Sequence, residues 1–184
     1  MSEAGRLEDR RWLALGQRWR GDGAPLGEAP AVRWLWAGGR LVWEVRAPRP
    51  TAARDWFAGP GWVEGLWKQE VAECFLAEPG GEGYGEFHLA PGGAWWSGDF
   101  GAPREAREVP RAREAVVACE VRWTERHWIG RQILELEAPE GVRANFAAIT
   151  VGPEGRRFFS LAPLGGERPD FHQPEEWPML AESS

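Results

Sequence analysis

The side chains best equipped for chemistry lie in two short stretches near the middle of the chain. In Val71–Ala77, the residues Ala72, Cys74 and Leu76 share one side of an extended strand, while Val71, Glu73 and Phe75 share the other. A carboxylate flanked on its own face by two apolar side chains loses part of its hydration and needs hydrogen-bond donors. In Tyr84–Ala90, Tyr84, Glu86 and His88 alternate with Gly85, Phe87 and Leu89. If the two stretches pair as a hairpin, Glu73, Tyr84, Glu86 and His88 converge on one sheet surface, with Trp67 at its rim. A flat π-face suits the C–H face of a pyranose, and carboxylate and imidazole groups can share paired hydroxyls. The same residues also allow a purely structural reading, in which Glu73 pairs with an arginine or Lys68 and the aromatics pack. Two carboxylates such as Glu73 and Glu86 could also be those of a glycoside hydrolase, with their separation setting the stereochemistry. No Gly-x-Ser-x-Gly, phosphate loop or His-x-x-x-His accompanies them, and Ser97 near Asp99 reads as a turn.

Strands must position these groups, because period-two alternation recurs throughout the chain more convincingly than a helical period. Ala31–Ala37 and Arg40–Arg46 flank Gly38-Gly39, a two-residue connection that suits a tight hairpin turn. Val71–Ala77 with Tyr84–Ala90 and Asn145–Val151 with Arg156–Ala162 form further hairpin candidates across glycine-rich loops. Ala115–Trp123 places Ala115, Val117, Cys119, Val121 and Trp123 on one face, and pairs with Gln132–Ala138 across a turn at Glu125–Gly130. With Trp12–Arg18, the expected total is about nine strands, the count of a two-sheet antiparallel sandwich. Only Arg6–Leu15 and Arg104–Glu114 tempt a helical reading, and neither has a clean apolar stripe. One domain is expected over residues 7–180, with loose ends beyond it.

Composition narrows the classes of function. Gly 24 and Pro 15 in 184 residues favour many turns between short elements, and 43% hydrophobic with 27% charged residues describes a chain that folds in water. A net charge of -6, with arginines interspersed among glutamates, supplies no cationic field for nucleic acid. No run is apolar enough for a signal peptide or a membrane span, so the expected compartment is the cytoplasm. Cys74 and Cys119 are read as buried free thiols. Thirteen tryptophans are the outlier; core packing accounts for most of them, and one or two are free to stack on a ligand.

Several short motifs agree in order and spacing with a known group. The stretch Leu66-Trp67-Lys68-Gln69-Glu70-Val71-Ala72-Glu73-Cys74-Phe75-Leu76, then Tyr84-x-Glu86-Phe87 and Pro91-x-Gly93-x-Trp95, resembles the segment shared by family 9 carbohydrate-binding modules and DOMON-like domains. Near the end, Asn145-Phe146 and Pro169-Asp170-Phe171-His172-Gln173-Pro174 resemble the closing part of the bacterial DOMON-like group. The resemblance implies a jelly-roll sandwich in which two aromatic side chains clamp a terminal saccharide, with hydrogen bonds from a glutamate, an arginine and amides. By position, Trp67 and Phe171 match the aromatics, Glu73 the glutamate and Asn145 an amide, with Tyr84, Glu86 and His172 beside them. Departures occur at His88, where the family has arginine, and at Ala147, where it has glutamine. Losing a bidentate guanidinium and an amide would weaken or redirect sugar binding. Some DOMON domains bind haem; the available ligands are His88, His127, His172 and Met179, with no Cys-x-x-Cys-His. A protein-interaction sandwich without a small-molecule site is the third reading. The expectation drawn from all this is a non-catalytic domain for a saccharide or similar polar ligand, with no cofactor and no metal, there being no Asp-rich loop of calcium-binding spacing.

Overall fold

A strand with alternating apolar residues must bury one face, and two sheets that share a common interior satisfy many such strands at once. In the computed structural model, which describes residues 6–19, 28–50, 59–77, 83–107, 112–136, 141–152, 155–164 and 167–180, that solution is an all-β sandwich. The strands in chain order are β1 (Leu13–Ala14), β2 (Gln17–Arg18), β3 (Ala31–Ala37), β4 (Arg40–Pro48), β5 (Gly61–Trp62), β6 (Val71–Ala77) and β7 (Tyr84–Leu89). They continue with β8 (Ala94–Ala102), β9 (Glu105–Ala106), β10 (Val116–Trp123), β11 (His127–Glu135), β12 (Ala144–Gly152) and β13 (Gly155–Ser160). A four-residue helix, α1 (Ala112–Ala115), falls at the end of the segment that tempted a helical reading, part of which (108–111) lies outside the described residues.

One sheet runs β1-β3-β4-β11-β10 and the other β2-β13-β12-β6-β7-β8-β5, with β9 on β8; all pairs are antiparallel except β5 with β8. The β3–β4 hairpin turns at Gly38 and Gly39 with φ of 59° and 73°, the left-handed pair that such a turn requires. The loops at 78–82 and 153–154, expected to close two other hairpins, lie outside the described residues. Trp12–Arg18 is not one strand. β1 joins the smaller sheet and β2 the larger, and the wholly buried Leu15 sits between them in the shared interior. The turn expected at Glu125–Gly130 is shorter, because Thr124 Oγ1 accepts the His127 backbone N–H at 2.9 Å and β11 begins there. A register shift between Val116 and Ala118 turns Val117 out to solvent, so the single buried face expected for Ala115–Trp123 is interrupted.

The interior between the sheets holds Trp43, Trp128, Phe87, Phe146, Leu89 and, from β6, Ala72, Cys74 and Leu76. Buried Gln132 on β11 crosses this interior: its Oε1 accepts Trp43 Nε1–H at 3.1 Å, and its Nε2 donates to the His88 carbonyl at 3.3 Å. On the outer face of the smaller sheet, Arg33, Glu44 and Arg131 stand in one cross-strand row. Arg33 Nε and Nη2 donate to Glu44 Oε2 at 2.8 and 2.5 Å, and Arg131 Nε to Oε1 at 2.8 Å. A second apolar cluster, including Val71, Phe75, Tyr84, Ile149, Phe171 and Trp177, covers the other face of the larger sheet. The candidate chemistry lies on that face.

Candidate functional site

Sheet register brings the polar groups together. Glu73 on β6 is opposite His88 on β7, which is opposite Trp96 on β8; in the next row Phe75 is opposite Glu86, which is opposite Gly98. Because facing residues point to the same side of a sheet, Glu73, Glu86, His88 and Trp96 share one surface. His88 Nε2 donates to Glu86 Oε1 at 2.6 Å and stands 3.6 Å from Glu73 Oε1. All three groups are buried, with exposures of 2% for Glu73, 5% for Glu86 and 0% for His88. Desolvation pushes the Glu73 carboxyl up to about 7, helped by the Glu86 charge and opposed by His88. For His88 desolvation pulls downward, yet Glu73 and Glu86 outweigh it and raise the imidazole above its ordinary range. Glu86 Oε2 and His88 Nδ1 are buried without a hydrogen-bond partner among the described residues.

Above this floor opens a cavity of about 480 Å³. Trp67, Glu73, Glu86, Phe171 and His172 all line it. Trp67 is presented by a 3₁₀ turn, Leu66–Lys68, that follows Gly65 at φ 81°, and its indole is 39% exposed. It meets Trp96 and His88 edge-on at centroid distances of 5.4 and 6.2 Å, and its backbone carbonyl accepts from Arg156. Phe171 belongs to the C-terminal segment, packs against Phe75 and Phe158 and is 8% exposed, so its ring offers the cavity far less surface than Trp67 does. Trp177 Nε1–H donates to the Phe171 carbonyl at 3.0 Å and anchors that wall.

Tyr84 and Asn145 lie on the same sheet face but outside the cavity lining. The Tyr84 hydroxyl pairs with His172 Nδ1 at 2.5 Å, and its ring stacks on Phe100 at 4.9 Å; burial raises its pKa to about 12. Asn145 Oδ1 accepts from Ser160 Oγ and the Ala162 N–H, both at 2.9 Å, so it ties β12 to the chain leaving β13. Burial lowers the His172 pKa, which keeps that ring neutral near pH 7. Of the four candidate haem ligands, His127 belongs to the smaller sheet, 2.9 Å from Glu28, and Met179, whose backbone forms a β-bridge with Arg143, is exposed, so neither lies with His88.

Sequence reasoning missed Trp96, Phe100, Phe158, Arg104 and Arg156, which complete the walls and rim. Trp96 lies across Gly98, where an added Cβ would fall 2.5 Å from the indole. Arg104, at φ 65°, is held by Tyr84 through its backbone N–H and by Asp170 through its guanidinium at 2.9 Å. A second groove of about 620 Å³, lined by Trp12, Trp34 and Arg10 among others, has no carboxylate or imidazole among the described residues of its walls.

Compared by sequence, the chain matches no family model and no curated protein. Compared by structure, it is similar to a protein of Bacteroides uniformis described, provisionally, as carbohydrate-binding: the TM-score is 0.65, the identity 18%, and the match covers 91% of this chain and 83% of that one. That likeness places the architecture among two-sheet sandwiches of this kind.

Proposed function

We propose that the chain is a non-catalytic binding domain of DOMON-like, family 9 type, whose cavity takes a saccharide or similar polyhydroxylated small molecule. The observation that carries this reading is one open cavity that pairs an exposed indole wall with the carboxylates of Glu73 and Glu86, which His88 holds from beneath the lining. Sugars present apolar C–H faces and paired hydroxyls, and such a cavity offers a surface for each. The carbohydrate-binding description of the structural neighbour supports it. The carboxylate geometry favours binding over hydrolysis. Glu73 and Glu86 both lie against one imidazole nitrogen on a single sheet surface, whereas a hydrolase sets its pair on two sides of the scissile bond.

The test is a thermal-shift panel of glucose, galactose, xylose, maltose, cellobiose and glucuronate, followed by calorimetry on any responder. A sugar at a hundred times its Kd adds about 2.7 kcal/mol of stability, which raises Tm by several degrees at this chain length. Tryptophan fluorescence should change with it, since Trp67 and Trp96 wall the cavity. No shift and no fluorescence change across the panel would remove the saccharide assignment. Turnover of an aryl glycoside that disappears in Glu73→Gln would replace it with a hydrolase.

A further inference from the structure

We propose that Glu73, Glu86 and His88 form the binding site for one divalent transition-metal ion at the floor of the cavity. The site goes beyond the saccharide reading, because these three side chains can hold an ion whether or not a sugar enters above them.

Geometry comes first. One ligand atom from each residue lies within 4.8 Å of the others, with His88 Nε2 2.6 Å from Glu86 Oε1 and 3.6 Å from Glu73 Oε1. Around an ion with bonds of about 2.0–2.2 Å, neighbouring donors stand roughly 3–3.5 Å apart. A small outward rotation of the Glu86 carboxylate therefore makes room for the ion. The three residues sit on two paired strands of a sheet, so their backbones are already fixed, and Gln132 holds the His88 carbonyl from the sandwich interior.

Charge makes the second argument. Two carboxylates with one imidazole between them are gathered in a nearly solvent-free place, and among the described residues their ion pairs run only to His88 and His172. Among the described residues no guanidinium or ammonium forms an ion pair with either carboxylate; Arg156, in the same lining, donates to the Trp67 carbonyl and acts on Glu73 only as a neighbouring charge. A carboxylate so placed either keeps a proton or takes a metal as its counter-charge.

The third observation is independent and points outward. Glu86 Oε2 is buried, has no hydrogen-bond partner among the described residues, and belongs to a side chain that lines the cavity. His172 Nδ1 stands 3.9 Å from that oxygen, beyond hydrogen-bond distance. An ion at the floor would take this oxygen or its partner as a ligand and leave its remaining positions facing the cavity, open to water or to a ligand's hydroxyls.

Donor chemistry selects the metal class. One imidazole with two carboxylates suits zinc, manganese, cobalt, nickel or iron(II), whereas calcium asks for six to eight oxygens and magnesium keeps most of its waters. His88 Nδ1 has no partner among the described residues, so the ring lacks there the outer hydrogen bond that strengthens tight sites. The affinity should accordingly fall roughly 10–100-fold below that of a fully supported site.

The full-length protein, stripped with a chelator, is titrated with Zn²⁺, Co²⁺ and Ca²⁺ by calorimetry, with Co²⁺ also followed by its visible absorption. The expected result is one equivalent of Zn²⁺ or Co²⁺, with weaker or no binding of Ca²⁺, and at least a tenfold loss in Glu86→Gln and in His88→Asn. Because either variant can misfold, the wild type is also examined with ¹⁵N-labelled histidine. Only three histidines are present, and Zn²⁺ should move the Nε2 resonance of His88 while leaving His127 in place. Overturning results are the absence of stoichiometric binding, a preference for Ca²⁺, unchanged binding in both folded variants, or a shift at His127 instead of His88. A saccharide bound equally well by metal-free protein would leave the sugar reading standing on its own; loss of the sugar response with retained zinc would do the reverse.

Discussion

Replacing Trp67 by alanine separates ligand binding from folding, and the structure sets both magnitudes. The indole is 39% exposed, and an aromatic side chain of roughly 250 Å² then leaves about 100 Å² for a ligand. At about 25 cal/mol per Å², covering all of it is worth about 2.5 kcal/mol, and covering one face about half of that. Affinity should therefore fall roughly eight- to seventy-fold. On the folding side, the ring loses its edge contacts to Trp96 and His88, about 0.5–1.5 kcal/mol each. Tm should drop by roughly 2–12 °C, at about 2–4 °C for each kcal/mol at this size. The assay is calorimetry with the panel sugar that shifts the wild-type Tm most, beside a thermal melt of both proteins. Unchanged affinity would refute the indole wall. Loss of a cooperative melt would show that residue 67 is a core residue whose exposed edge is incidental.

Other perturbations test the frame around the site. Gly130→Ala puts a methyl 2.7 Å from both Leu89 and Trp128 in the sandwich interior, and overpacking of that kind should cost about 1–3 kcal/mol, seen as a lower denaturant midpoint with unchanged m. Glu44→Gln leaves Arg33 and Arg131 without their shared carboxylate; the expected loss is about 3–5 kcal/mol, and a change below 1 kcal/mol by urea titration would show the row to be ornamental. Cys119, raised to about 11 chiefly by burial and partly relieved by Gln132, should be about one part in a thousand thiolate at pH 8. Its alkylation by iodoacetamide, followed by mass spectrometry, should accelerate about tenfold per pH unit up to that value, while Cys74, wholly buried, stays unmodified until the protein unfolds.

The sequence carried the two central hairpins well, because alternating apolar residues and glycine connections specify strand faces without tertiary help. Val71–Ala77 and Tyr84 onward emerge with their expected ends, so the convergence of Glu73, Glu86 and His88 was legible. β8 was not: Ser97, Gly98, Asp99 and Gly101 erase its apolar alternation. Gly98 is small because the Trp96 ring lies over it, a reason that exists only in three dimensions. With β8 went Trp96 and Phe100, two of the cavity walls. Arg104 and Arg156 reach the rim from a turn and a strand far apart in the chain, a proximity no local pattern records. Asn145, taken from a family resemblance, sits on the right sheet face, but its oxygen serves Ser160 and Ala162. The clustering of possible metal ligands escaped a search for acidic loops, since its donors are cross-strand neighbours.

Part of the cavity lining is furnished by the last stretch of described chain, which carries Phe171 and His172 and is pinned by Trp177. During synthesis both sheets can pair before that stretch emerges, so the floor would form first, roofless. Docking of the tail and occupancy of the hollow are thereby linked equilibria: a guest that touches Phe171 tightens the tail's hold, and whatever peels the tail away also ejects the guest.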